Sequence, residues 1–136
     1  MCACKQCVVA RFRDRFFVRY ADVDQQGVVF NAHYMTYCDT AVDRWWRSIG
    51  MNIGQQTYDC MVVKAVLEWQ GSAKYAEELE VEVHASRWGN TSFDVTCVGT
   101  VGERPIFTAT LTYVGVRHGT TETMPPPPDI KAALGG

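Results

Sequence analysis

The sequence predicts an α+β domain in which an antiparallel sheet curls over one buried helix. Three observations carry that expectation: one long stretch with a helical period, period-two alternation through most of the chain after it, and turn signals between the alternating runs. The resulting order is strand, long helix, then four strands with hairpin-like connections.

Residues 11–20 are basic and aromatic, with Phe16, Val18 and Tyr20 alternating against Phe17 and Arg19, and read as a first strand. An acidic turn with Asp22, Asp24 and Gly27 follows. Tyr34, Tyr37, Cys38, Ala41, Val42, Trp45 and Ile49 then recur at intervals of three and four, which places them on one helix face. Asn31 reads as the N-cap and Gly50 as the stop, giving a rod about 27 Å long. Residues 51–60 lack a period and read as a loop or short helical turn. Val63, Ala65, Leu67 and Trp69 alternate with Lys64, Val66, Glu68 and Gln70, and Leu79, Val81, Val83 and Ala85 alternate with Glu78, Glu80, Glu82 and His84. After a turn at Gly89 and Asn90, Phe93, Val95, Cys97, Gly99 and Val101 continue the pattern, and a turn at 102–105 leads to Phe107, Ala109, Leu111 and Tyr113. The proline run 125–128 cannot join a ladder and is expected to end the domain, with a last helical turn over 129–134. The expected organisation is a flexible cysteine-bearing terminus at 1–10, one domain at 11–124 and a proline-rich tail at 125–136.

At 136 residues, 47% hydrophobic and 21% charged, the chain has material for one core. A net charge of −2 argues against a general nucleic-acid or membrane-surface binder, while leaving room for a local basic pocket. No run approaches the ~18 apolar residues of a membrane span, and no signal-peptide pattern opens the sequence, so a cytoplasmic protein is expected. Cys2, Cys4 and Cys7 have close spacing but no evident fourth ligand for zinc, and Cys38, Cys60 and Cys97 are scattered, so free thiols are expected.

No serine-hydrolase elbow, P-loop or dinucleotide-binding turn is present, and His33, His84 and His118 share no metal or triad spacing. What the sequence does juxtapose is an acidic turn and a helix N-terminus, where N–H groups lack intrahelical partners and the dipole favours negative charge. A carboxylate beside such donors suits attack on an activated carbonyl. Asp22 reads as a turn or surface carboxylate. Asp39 lies roughly 12 Å along the axis from the helix start, so it is only a reserve base.

The stretch Tyr20-Ala-Asp-Val-Asp24-Gln-Gln-Gly27-Val-Val-Phe30-Asn31-Ala-His-Tyr34 is similar to the Asp-x-x-Gly, apolar run and helix-opening Tyr of the hotdog-fold acyl-CoA thioesterases of the 4-hydroxybenzoyl-CoA thioesterase family, and Arg87-Trp88-Gly89-Asn90 gives weaker support. The resemblance implies a hotdog fold, a curved antiparallel sheet wrapped around one long central helix. It implies Asp24 as base or nucleophile and the Asn31 backbone N–H as oxyanion donor, with Gly27, Phe30 and Tyr34 shaping the site. Asn31 stands where relatives often carry Tyr or His, so the role carried over there belongs to the backbone. By the same analogy Val63, Lys64 and Ala65 contribute from a neighbouring subunit and Arg87 meets the nucleotide phosphates, in a homodimer or homotetramer with sites between subunits. No metal or redox cofactor is implied, coenzyme A being part of the substrate, and no nucleic-acid or membrane partner is expected. Two alternatives share the scaffold: a non-catalytic acyl-ligand binding protein, and a thioesterase acting on an acyl carrier protein. A hotdog dehydratase is disfavoured because its His-containing motif is absent.

Overall fold

The structure, a computed structural model, describes residues 11–51 and 57–136. The expectation for the terminus at 1–10, with its three cysteines, lies outside these residues, as does that for 52–56. Along the chain come β1 (Arg11–Phe17), a 3-10 turn (Tyr20–Asp22), α1 (Asn31–Ser48), β2 (Tyr58–Trp69), β3 (Glu78–Trp88), β4 (Ser92–Val101), β5 (Arg104–Arg117) and α2 (Pro128–Ala133). The strands form one sheet in the order β1-β3-β4-β5-β2, with every neighbouring pair antiparallel.

The helix buries Tyr34, Tyr37, Cys38, Ala41, Val42 and Trp45, the face given by the sequence spacing. It packs against the inward rows of the sheet: Leu79, Val81 and Val83 from β3, Phe93, Val95 and Cys97 from β4, and Phe107, Ala109, Leu111 and Tyr113 from β5. Outward positions on β3 carry Glu78, Glu80 and Glu82, which meet Arg15, Arg13 and Arg11 of the edge strand β1. Such exposed pairs add little stability, but opposite charges across a ladder favour one register. Gly99 is dictated by packing, because a Cβ there would clash with the Phe107 ring that lies across it.

β2 begins at Tyr58, five residues before the start of the alternation seen in the sequence. The cause is a bulge: Val62 pairs with Tyr113 and Lys64 with Thr112, leaving Val63 unpaired between them. Tyr58, Cys60 and Val62 therefore share the helix-facing side with Ala65, Leu67 and Trp69, although the two sets have opposite parity. β2 is also an outer strand, and Met61, Val62, Val63, Val66 and Trp69 along it are exposed.

The segment expected as a tail packs back on the domain. Leu134 is fully buried, Ile130 lies against the core, and the Lys131 ammonium sits 5.4 Å from the centroid of the Trp88 ring. The prolines leave the ladder, as their missing N–H requires, and Pro128 then opens α2 at a position where that loss costs nothing.

Candidate active site

Residues 22–30 double back as a small hairpin that delivers the chain into α1. Val23 bridges Val29, the Asp24 N–H donates to the Val28 carbonyl (2.9 Å), and the Phe30 N–H donates to the Asp22 carbonyl (2.9 Å). At the tip, the Asp24 carboxylate accepts the Gln26 N–H (2.8 Å) and the Asp24 carbonyl accepts the Gly27 N–H (3.0 Å). Gly27 has φ +77°, a left-handed conformation that a side chain would strain. Val29 N–H and the Gly27 carbonyl tie the hairpin to Ala73 and Tyr75 of the β2–β3 connection.

The helix starts one residue earlier than the sequence suggested, and this changes its chemistry. Phe30, with φ −64° and ψ 136°, is the N-cap, so Asn31 is the first helical residue and no side chain caps the helix. The His33 N–H turns back to the Phe30 carbonyl (2.9 Å), while among the described residues the N–H groups of Asn31 and Ala32 have no hydrogen-bond partner. An apolar cap leaves these donors open at the positive end of the dipole.

Asp22 was expected at a turn or on the surface; it is in the turn, but 3% exposed. Its carboxylate accepts the Arg19 N–H (2.9 Å), the Arg19 guanidinium at Nε (3.2 Å) and Nη2 (2.9 Å), and the Tyr37 hydroxyl (3.0 Å). The Arg19 side chain is the main cause that holds this carboxyl down to about 2, with the Arg19 N–H and the Tyr37 hydroxyl assisting and burial opposing. Burial, reinforced by Asp22, pushes the Tyr37 phenol well above its usual range. Asp22 thus stays ionised and bolts the hairpin to the helix. The i,i+3 spacing of Arg19 and Asp22 was the available signal for it. Tyr34 makes a second bolt: its ring is buried and its hydroxyl accepts the Ala73 N–H (3.1 Å).

Asp24, by contrast, is exposed and borders an open cleft of about 440 Å³ with Tyr20, Val23 and Gln25. It stands about two residues, roughly 7 Å, beyond the hairpin base at which the helix amides begin. Phe30 is half exposed and its ring meets that of His33. The structure therefore brings Asp24, Gly27, Phe30, Asn31 and Tyr34 together on one hairpin and helix start.

The other expected site residues lie elsewhere in the single chain. Val63, Lys64 and Ala65 are exposed at the bulge of β2. Arg87 lies nine residues along β3 from Glu78, roughly 30 Å from the end of the strand next to the hairpin. Its guanidinium is engaged by Asp94 through two hydrogen bonds (2.9 and 3.1 Å) and by Ser92 Oγ (3.1 Å). Asp39 lines a groove with Val62 and Tyr113 between α1 and β2, and desolvation raises its carboxyl. Among the described residues no group of three or more His, Cys, Asp or Glu is placed to hold a metal ion, and no helix is long and apolar enough to cross a membrane.

A five-stranded antiparallel sheet wrapped on one long helix, with a carboxylate-bearing hairpin at the helix start, defines a hotdog-fold domain. The sequence profile of the thioesterase-like superfamily matches residues 18–134, and the chain belongs to that superfamily. The 1,4-dihydroxy-2-naphthoyl-CoA hydrolase of Synechococcus elongatus is 23% identical over 124 residues, spanning 88% of this chain and 91% of its own. Among solved structures, a 1,4-dihydroxy-2-naphthoyl-CoA thioesterase from Synechocystis superimposes with a TM-score of 0.82 at 19% identity, covering 92% of this chain and 96% of that one. A gentisyl-coenzyme A thioesterase superimposes with a TM-score of 0.80 at 18% identity, covering 90% and 98%. These structural likenesses establish the hotdog fold.

Proposed function

We propose that the chain hydrolyses an acyl-CoA thioester to the free acid and coenzyme A. The observation that carries this reading is the pair of amides at an uncapped helix start, unpartnered among the described residues, on the same short hairpin as the exposed Asp24 carboxylate. The thioester carbonyl oxygen would lie at the Asn31 N–H. Asp24 would then attack the carbonyl carbon, or take a proton from a water that attacks it. Negative charge collects on the oxygen, where the amide and the helix dipole stabilise it; the C–S bond breaks and the thiolate leaves with little help from an acid. With the Asp24 carboxylate as nucleophile, water then cleaves the resulting anhydride and restores it.

The single chain leaves Asp24 open to solvent, and among the described residues β2 is an unpaired edge with five large apolar side chains exposed. A second copy would complete both, pairing along β2 and bringing Val63, Lys64 and Ala65 toward the neighbour's site. The relatives' names specify aryl thioesters, and the exposed rings of Tyr20, Phe30 and Tyr75 near the hairpin would suit such a group. Aromatic acyl-CoA esters are therefore the first substrates to test, and acyl carrier protein esters the second. Cys38, Cys60 and Cys97 are free thiols, in keeping with a cytoplasmic setting.

Thiol release from a panel of acyl-CoA esters tests the reading. Asp24→Asn is expected to lower kcat by at least about 10²-fold, in keeping with a lost base or nucleophile. No turnover of any ester would favour a binding protein on this scaffold. Turnover insensitive to Asp24→Asn but abolished by Asp39→Asn would move the base to the groove between α1 and β2, a second reading favoured by the place of Asp39 in that groove beside Val62 and Tyr113, where desolvation raises its carboxyl.

A further inference from the structure

The hairpin that carries Asp24 is completed by the β2–β3 connection, residues 70–77, which lies along its return arm. Val28 bridges Lys74, the Val29 N–H donates to the Ala73 carbonyl (2.9 Å), and the Tyr75 N–H donates to the Gly27 carbonyl (3.2 Å). The Val18 carbonyl accepts the Ala76 N–H (3.0 Å), and the Val18 N–H donates to the Glu77 carbonyl (2.9 Å), so the connection also grips the chain that leads into the hairpin. The place of Asp24 therefore depends on what fixes residues 70–77.

The turn between β4 and β5 fixes them. Gly99 pairs with Phe107 and Thr100 with Pro105, which leaves Ile106 as a bulge, and its carbonyl accepts the N–H groups of Gln70 (2.8 Å) and Gly71 (3.1 Å). Gly71 permits this approach, because a Cβ there would press on the Pro105 carbonyl. Arg104, at the start of β5, then reaches across the connection. Its Nη1 donates to the Ser72 carbonyl (2.8 Å) and its Nη2 to Glu77 Oε2 (2.6 Å), while Glu77 Oε1 accepts the Lys74 N–H (2.7 Å). One guanidinium and one carboxylate thus clamp the connection from 72 to 77. Inside the clamp Ala76 is held at φ +66°, a left-handed conformation that is unfavourable for a residue with a side chain. Such a conformation persists only where its surroundings over-determine it, so release of the clamp displaces the connection as well as loosening it.

Other exposed ion pairs of the sheet, such as Arg13 with Glu82, join side chain to side chain and add little. The Glu77–Arg104 pair differs in holding two backbone groups of the segment against which the hairpin is laid. Neither side chain borders the cleft beside Asp24. We infer that Glu77 and Arg104 are positioning residues for the proposed reaction, setting the place of Asp24 relative to the helix amides through the β2–β3 connection. The link to catalysis rests on the thioesterase reading; the mechanical tie to the hairpin does not.

The test follows kcat and KM for the acyl-CoA ester that wild type cleaves fastest, together with amide hydrogen exchange. Glu77→Gln and Arg104→Gln are each expected to lower kcat about tenfold or more with KM within about twofold, since binding is kept and alignment is lost. The double variant should lose no more than either single one, because the two side chains act as one clamp. Arg13→Gln, which breaks an exposed pair with no tie to the connection, should leave kcat unchanged. In exchange, the amides of Asp24, Val29 and Tyr75 should open about tenfold faster in both single variants, while those of Val81 and Val95 in the core strands keep their wild-type rates. Folded variants with wild-type kcat would overturn the inference, as would faster exchange that spreads evenly to Val81 and Val95 and so marks a general loss of stability. Faster exchange confined to the hairpin, in a protein that cleaves no thioester, would uphold the mechanical tie and remove the thioesterase reading.

Discussion

Asp22 and Asp24 are two residues apart and have opposite environments. Asp22 is buried and saturated by Arg19 and Tyr37, while Asp24 is exposed with one bond to the Gln26 amide. The division suits the proposed chemistry, in which Asp24 meets a substrate while Asp22 is locked into the frame. Asp22 has a folded-state value of about 2 against an ordinary value near 4, so its contribution is fully present above about pH 4 and is lost as pH falls toward 2. On the order of 2 kcal/mol is at stake. Denaturant unfolding of wild type and Asp22→Asn should differ by at least that amount at pH 7, and the gap should narrow between about pH 4 and 2. A gap that is flat over that range would show that ionisation of Asp22 is not what stabilises the hairpin. The two nearby Asp residues were visible in the sequence; their different environments were not, since these depend on Tyr37, fifteen positions from Asp22, turning its hydroxyl under the hairpin.

At the scale of the element, the start of α1 is built against its own stability. A phenylalanine at the N-cap gives up the roughly 1 kcal/mol that an Asp, Asn or Ser would supply, and leaves open the amides to which the proposed chemistry assigns the oxyanion. Phe30→Asp should therefore raise the midpoint of unfolding or leave it level, because Phe30 is half exposed and loses little packing. The same change should cut kcat by at least about 10²-fold, because the new carboxylate takes up the Ala32 N–H and stands beside the Asn31 N–H, where negative charge develops. Phe30→Ala removes the ring without capping the helix and should keep most of kcat; parallel losses in both variants would assign the effect to the ring. The burial pattern of α1 was legible in advance because its period of 3.6 is a property of the helix alone. Its first residue was not: Asn31 has the chemistry of a cap, but the hairpin bonds from Phe30 to Asp22 set the helix start one position earlier. The start of β2 was hidden in the same way, by a bulge that interrupts the parity on which strand recognition relies.

At the scale of the molecule, a twelve-residue outer strand with exposed Met61, Val63, Val66 and Trp69 is a surface that a monomer would have to protect. Val63→Lys with Val66→Lys should convert a dimer into a monomer in sedimentation experiments and lower kcat/KM with it. A monomeric wild type that is fully active would refute the shared site. The succession of strands along the chain was legible in the alternation of Leu79, Val81 and Val83 and its successors, whereas the proposed site between copies rests on the family resemblance, since one chain carries no pattern that shows it. The extra residue at position 63 has one more consequence. It lets the two halves of β2 be counted in different frames while facing the same way, so removing Val63 restores an uninterrupted alternation with Tyr58 and Trp69 both still turned inward. Loss of a codon there should leave a folded protein, whereas loss of Val66 should throw one half of the strand inside out.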